Sequence, residues 1–156
     1  MLVHNARDGS TRLLDFFVAV PGLGGRPADP GGMESVDIDF DRSSTQVFRI
    51  GSASCAVPGT VAGLAEAHRA YGSLPWRVLL EPAIQLARGG FEMTRPQAYL
   101  HAILDLILRH TPEGQRVYGR DGSRLAAGDR VVLSDLGDSL EQIGRASCRE
   151  RVYVLV

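Results

Sequence analysis

Residues Ser54 to Glu92 read SCAVPGTVAGLAEAHRAYGSLPWRVLLEPAIQLARGGFE, and their punctuation decides how the rest of the chain is placed. Pro58 fixes its φ and Gly59 frees the next one, which marks an entry turn. Thr60 is then placed to cap the N–H groups that a first helical turn leaves unpaired, and Gly72 to end the helix after Tyr71. Along that helix Val61, Leu64, Ala65 and His68 recur at helical spacing, whereas Ala62, Gly63 and Ala67 leave a thin surface that another element's backbone can approach. A second helix is predicted from near Pro75, restarting or kinking at Pro82 and stopping at Gly89 and Gly90. Trp76, Leu79, Leu80, Ile84 and Leu86 form its apolar side.

Two helices packed this tightly need a larger body to cover, and the chain around them has the composition of a soluble globular protein. Hydrophobic residues make up 44% of the 156, charged residues 22%, and the formal net charge is -1. That balance offers no attraction to nucleic acid or anionic lipid, so a polyanion partner is not expected. No apolar run is long enough to span a bilayer as a helix. The two cysteines, Cys55 and Cys148, make neither a metal set nor a Cys-x-x-Cys pair; Cys55 reads as an inert, buried small hydrophobe, and a disulfide between the two is not expected.

The run VPGTVAGLAEAHRAYGSLPW, followed by LLEPAIQLARGGFEMT, resembles the large-subunit signature of the gamma-glutamyltransferases, which belong to the N-terminal nucleophile hydrolases. Pro58, Gly59, Gly63, Tyr71-Gly72, Pro75-Trp76, Pro82-Ala83-Ile84 and Gly90-Phe91 carry the likeness, which extends with lower fidelity from Met1 to about Gln142. The resemblance implies an α+β chain that is part of a four-layer αββα fold, to which this piece supplies edge strands and several covering helices. It also implies transfer or hydrolysis of γ-glutamyl groups, or of other amide acyl groups, with no metal or organic cofactor. The expected partners are a small-molecule amide substrate, the remainder of the large subunit, and the small subunit. In the family the nucleophile is the threonine freed at the small subunit's N-terminus by self-cleavage, its own α-amine serving as base. None of Thr11, Thr45, Thr60, Thr94 and Thr111 lies in the Thr-Thr-His context of that cleavage point, so no catalytic residue is assigned and the chain is expected to be inactive alone.

One departure bears directly on substrate. In LLDFFVAVP, Leu13 to Pro21, the residues Asp15 and Phe16 align with the start of the family's Asp-Phe-Arg-Glu motif. Phe17 then stands where the arginine that clamps the substrate's α-carboxylate should be, and Val18 where the glutamate should be. Hydrogen bonds to charged groups contribute about 1.5 to 3 kcal/mol each, so an apolar ring cannot replace the clamp. Either another cation is recruited or a different acyl group is accepted; the competing reading makes Phe17 a core residue of a buried strand. A cephalosporin-acylase-like amidase, or a non-catalytic scaffold, is the alternative function.

The remaining stretches place the frame. Met1 to Val3 and Thr11 to Val20 are strand-like around the turn-forming Asp8-Gly9, so the chain is expected to begin inside a sheet. Residues 21–32, PGLGGRPADPGG, hold too many breakers for a regular element and lack the spacing of a phosphate-binding loop. Ser35 to Phe40 alternates Val36, Ile38 and Phe40 against Asp37 and Asp39, a half-buried strand partnered by Phe48 to Ile50. The face bearing Asp37, Asp39 and Asp41 reads as a solvated edge in preference to a cation site, and His4, His68, His101 and His110 as surface or boundary residues. Thr94 caps a third helix whose stripe of Tyr99, Leu100, Ile103, Leu104, Ile107 and Leu108, with Leu106 beside it, predicts burial between two layers until Thr111-Pro112 stops it. A loop with a short hairpin should follow from Tyr118 to Val132, then a helix from Ser134 through Ile143. IGRASCRERV, Ile143 to Val152, resembles the translation of a sequencing adapter, which divides the chain into a family region, 1–142, and a tail of separate origin, 143–156.

Overall fold

The computed structural model describes residues 1–22, 32–41 and 43–145. They fall into two compact units, one drawn from the described residues within 1–26, 56–84 and 138–156, the other from those within 27–55 and 85–137. Both mix helix and strand, giving an α+β chain.

β1 (Leu2–Asn5) and β2 (Ser10–Leu13) form an antiparallel hairpin that pairs Leu2 with Leu13. Its turn is set by Asp8 and Gly9, as the sequence predicts. Gly9 sits at φ 69°, where a side chain would be strained, and its N–H reaches Asn5 O at 2.9 Å. The Asp8 carboxylate accepts from Ser10 N at 2.9 Å, and the hydrogen bonds from Ser10 hold its pKa below the ordinary value. The predicted strand from Thr11 to Val20 is interrupted: the chain leaves the ladder after Leu13 and resumes only at β3 (Val18–Ala19).

β4 (Glu34–Asp41) and β5 (Ser44–Ile50) form the second antiparallel pair, with an irregular register between Asp39 and Asp41. The predicted alternation holds. Ile38 is 1% exposed, Val36 and Phe40 are half-buried, and Asp37 and Asp39 face solvent, Asp39 accepting from Thr45 Oγ1 at 2.6 Å. Cys55, beyond a short 3-10 turn at Ser52–Ser54, is exposed. This corrects its reading as a buried hydrophobe: the thiol lies just past that turn, open to solvent, with its sulfur 4.0 Å from Gly51 O.

β6 (Val57–Pro58) pairs antiparallel with β3 and leads into α1 (Thr60–Tyr71). Thr60 is the first helical residue and not the cap; Gly59 takes the cap position and has no side chain with which to fill it. Gly72 ends the helix as predicted, its N–H bonding His68 O at 2.7 Å. Ala65 and Ala67 are the buried positions, while Val61 and Leu64 stay exposed, so the covered stripe follows the small residues. α2 (Trp76–Gly89) runs through Pro82, the missing N–H removing one backbone bond without ending the helix. Ile84 and Ala87 are buried, Trp76 and Leu80 half-buried, and Leu79 and Leu86 exposed, a narrower apolar side than predicted.

Gly90, at φ 78°, turns the chain into β7 (Phe91–Glu92). α3 (Arg95–Ile103) opens with the predicted Thr94 cap in reciprocal form: Thr94 Oγ1 accepts from Gln97 N, and the Gln97 amide oxygen accepts from Thr94 N at 2.9 Å. The single long helix expected here breaks at Leu104 and restarts as α4 (Asp105–Leu108). Thr111-Pro112 does more than stop it. Thr111 caps a further helix, α5 (Pro112–Tyr118), by accepting from Gly114 N at 3.0 Å. Tyr99, Leu100 and Leu106 are exposed in this chain, so the expected two-sided burial is not met within it.

β8 (Gly119–Arg120) and β9 (Ser123–Arg124) make the short hairpin, turned by Asp121 and Gly122 at positive φ. β10 (Arg130–Val131) pairs with β7, and Met93, Leu125 and Val131 form the buried cluster beneath them, with Phe91, Ala98 and Leu133 packed against it. α6 (Ser134–Arg145) closes the described chain. Most of the predicted loop 21–32, and the tail from Ala146 onward with Cys148, lie outside the described residues.

Candidate functional site

The segment between β2 and β3 carries Asp15, Phe16 and Phe17, and two glycines of the α1 entry seat it. A Cβ built on Gly63 would lie 1.9 Å from Phe16 Cγ, so the ring rests directly on the helix backbone. A Cβ on Gly59 would lie 2.7 Å from the Phe16 carbonyl oxygen, and Gly59 N–H donates to Phe17 O at 3.2 Å. The thin helix surface read from the sequence is thus occupied by an aromatic ring.

With Phe16 turned inward, Phe17 turns outward and is 77% exposed, on the wall of a cavity of about 350 Å³. Met1, Leu13, Leu14, Asp15, Phe16 and Thr60 complete the lining. Phe17 is therefore not a core side chain of a buried strand in this chain. Asp15 is the one ionisable side chain among the described residues that line the cavity, and Thr60 adds a hydroxyl. The described lining offers apolar surface, the Asp15 carboxylate, and at Met1 the α-ammonium, which donates to Leu14 O at 2.7 Å.

The histidine of the signature is committed to structure. His68 Nε2 lies 2.7 Å from Leu74 O, and its ring tilts against Trp76 with centroids 5.2 Å apart, which fastens the connection between α1 and α2. Trp76 Nε1 donates to Ile143 O at 3.2 Å.

The other unit holds an open, polar groove of about 710 Å³ whose arginines are already paired. Arg109 grips Asp105 through two bonds, 2.5 and 2.6 Å, and donates to Gly122 O at 3.1 Å. Arg116 pairs with Glu113 and Arg120 with Asp129. The Arg109 hydrogen bond holds the Asp105 carboxyl below its ordinary range against the opposing effect of burial, and Asp105 raises Arg109 in turn. Among the described residues, no group of three or more His, Cys, Asp or Glu side chains could hold a metal ion, and no helix is long and apolar enough to cross a membrane.

The family model described as Gamma-glutamyltranspeptidase matches residues 1–153. The chain belongs to that family. Glutathione hydrolase 3 of Arabidopsis thaliana is 35% identical over 105 residues, which make up 67% of this chain and 16% of that protein. The glutathione hydrolase proenzyme of Escherichia coli (strain K12) is 30% identical over 147 residues, 92% of this chain and 23% of that protein. Among solved structures, the gamma-glutamyltranspeptidase of Helicobacter pylori superposes with a TM-score of 0.70 at 24% identity, covering 92% of this chain and 39% of that one. That likeness shows that the chain shares the fold of part of that structure. This gamma-glutamyltranspeptidase-family chain spans between 16% and 23% of the length of these two curated relatives.

Sequence reasoning singled out Phe17 by resemblance alone and missed the rest of the cavity. Leu13 and Leu14 are its neighbours in sequence, but Thr60 arrives only through the pairing of β3 with β6, for which short strands leave no periodic signal.

Proposed function

We propose that the chain is the large-subunit part, residues 1–142, of a gamma-glutamyltransferase-type enzyme that transfers or hydrolyses amide acyl groups. The observation that carries the family reading is the match over residues 1–153, which runs past the proposed division at Ile143, and the cavity lies at the segment where the family motif is altered. In this reading the strands and helices are part of a four-layer αββα body completed by the remainder of the large subunit and by the small subunit. The small subunit brings the threonine nucleophile, and no cofactor takes part. The division at Ile143 belongs to the same proposal and rests on the sequence of Ile143 to Val152; recovering that coding sequence unchanged from genomic DNA would overturn it.

The chain's own part is acyl binding. Phe17 occupies the position of the carboxylate clamp, Asp15 and Thr60 supply the polar side chains of the cavity, and Gly59 and Gly63 hold the segment in place. Phe17 at the arginine position of the family motif suits, as a second reading within the same chemistry, an amidase of the cephalosporin-acylase type. A scaffold without catalysis is the remaining alternative. Release of p-nitroaniline from γ-glutamyl and other acyl p-nitroanilides separates them. The proposal expects turnover when the chain is expressed with a small subunit bearing the threonine, and none from the 156 residues alone. No turnover by the assembled protein on any acyl anilide leaves the scaffold reading.

A further inference from the structure

The tetrapeptide Arg-Asp-Gly-Ser occurs twice, as Arg7-Asp8-Gly9-Ser10 and as Arg120-Asp121-Gly122-Ser123, each with its Asp-Gly pair exposed in the turn of a hairpin. We infer that the second copy is a site of spontaneous backbone modification, at which Asp121 isomerises to isoaspartate, and that the fold protects the first copy. The glycine backbone nitrogen attacks Cγ of the preceding aspartate, and the carboxyl hydroxyl leaves with the amide proton as water, closing a succinimide ring. Water then opens the ring at the former peptide carbonyl and leaves the chain linked through Cγ, so the water lost is regained and the mass is unchanged. The four residues are the same in both copies, so a difference in rate comes from what surrounds them. At Asp8 both reacting groups are held. Gly9 N–H donates to Asn5 O at 2.9 Å, and the Asp8 carboxylate accepts from Ser10 N at 2.9 Å and from Asn5 Nδ2 at 2.8 Å. The Ser10 bonds also hold the Asp8 pKa below its ordinary value, which reduces the protonated carboxyl that can release water. At Asp121 neither group is held: among the described residues no hydrogen bond reaches its carboxylate or the Gly122 N–H. Only the Gly122 carbonyl is engaged, accepting from Arg109 Nη1 at 3.1 Å. Asp121 is also the one non-glycine residue at positive φ among the described residues, at 50°, and its turn joins strands of two paired residues where the other joins strands of four. Less ladder has to open before the backbone can rotate for attack, and leaving the left-handed region relieves strain. The product lengthens the main chain by one carbon and moves the carboxylate onto Cα, which displaces Gly122 O from Arg109 on the wall of the polar groove.

Ageing of the 156-residue chain near neutral pH, followed by peptide mapping with fragmentation that separates α-linked from β-linked aspartate, tests this. Isoaspartate should accumulate at Asp121 at least about fivefold faster than at Asp8, the factor that one intact hydrogen bond on the attacking nitrogen supplies. In urea above the unfolding transition the two rates should converge, because only the fold distinguishes the two copies of the tetrapeptide. Amide exchange read by NMR should be faster at Gly122 than at Gly9. Equal or faster formation at Asp8 in buffer, isoaspartate at neither site, a ratio that urea leaves unchanged, or slower exchange at Gly122 would overturn the inference.

Discussion

Gly63→Ala tests whether the ring of Phe16 is seated on α1, the contact that turns Phe17 outward. The new Cβ would fall 1.9 Å from Cγ, 2.1 Å from Cδ1 and 2.3 Å from Cβ of Phe16. All three are far inside the roughly 3.5 to 4.0 Å at which carbon atoms attract. The ring cannot slide freely, because its backbone is held against Gly59, whose N–H bonds Phe17 O. Overpacking of this kind costs about 1 to 3 kcal/mol. Alanine is about 1 kcal/mol better than glycine inside a helix, so the net loss is about 0 to 2 kcal/mol. The sign becomes decisive in a double-mutant cycle. With Phe16→Ala in place the clash is gone, and Gly63→Ala should then stabilise by about 1 kcal/mol, a coupling of about 1 to 3 kcal/mol. Urea unfolding read by the fluorescence of Trp76, the sole tryptophan, measures each corner of the cycle. Equal stabilisation by Gly63→Ala with and without the Phe16 ring refutes the seating and, with it, the stated cause of Phe17's exposure.

Two further outcomes follow from local geometry. Gly90→Ala should destabilise by about 1 to 3 kcal/mol, because φ is 78° and the added Cβ meets Val132 Cγ2 at 2.8 Å; a variant as stable as the parent in the same urea assay contradicts the turn. Asp105→Asn should lower the melting temperature near neutral pH. The Asp105 pKa is held below its unfolded value by Arg109, so its contribution is complete above the ordinary carboxylate pKa and disappears as pH falls through the folded one. The deficit of the variant should therefore shrink in acid, and a deficit that stays constant from about pH 7 to about pH 3 contradicts the pairing.

The parts of the fold legible in the sequence were those announced by single residues. Asp8-Gly9 turns the first hairpin, Gly72 and Gly90 end their helices, Thr94 and Gln97 cap α3, and the alternation from Val36 to Phe40 matches the burial of β4. What failed depended on neighbours. Thr60 had the chemistry of a cap, but the turn from Pro58 puts Gly59 at that position. The apolar run past Ile103 has uninterrupted helical spacing, and no glycine or proline forewarns of the break at Leu104. Thr111-Pro112 serves equally as a stop and as a start, and the cap to Gly114 N decides for a start. In α1, periodicity proposes one stripe, and the ring of Phe16 on Gly63 helps select another. The candidate site was legible at Phe17 only through resemblance, because no local pattern distinguishes a wall of a cavity from a core aromatic.

Intact-mass and peptide mapping of the assembled enzyme, quenched during turnover of an acyl p-nitroanilide, test most directly the claim that this chain binds the acyl group while another segment attacks it. The acyl mass should appear on the N-terminal threonine of the small subunit, with all peptides from residues 1–145 unmodified. An acyl adduct on Thr11, Thr45, Thr60, Thr94 or Thr111 would contradict the account.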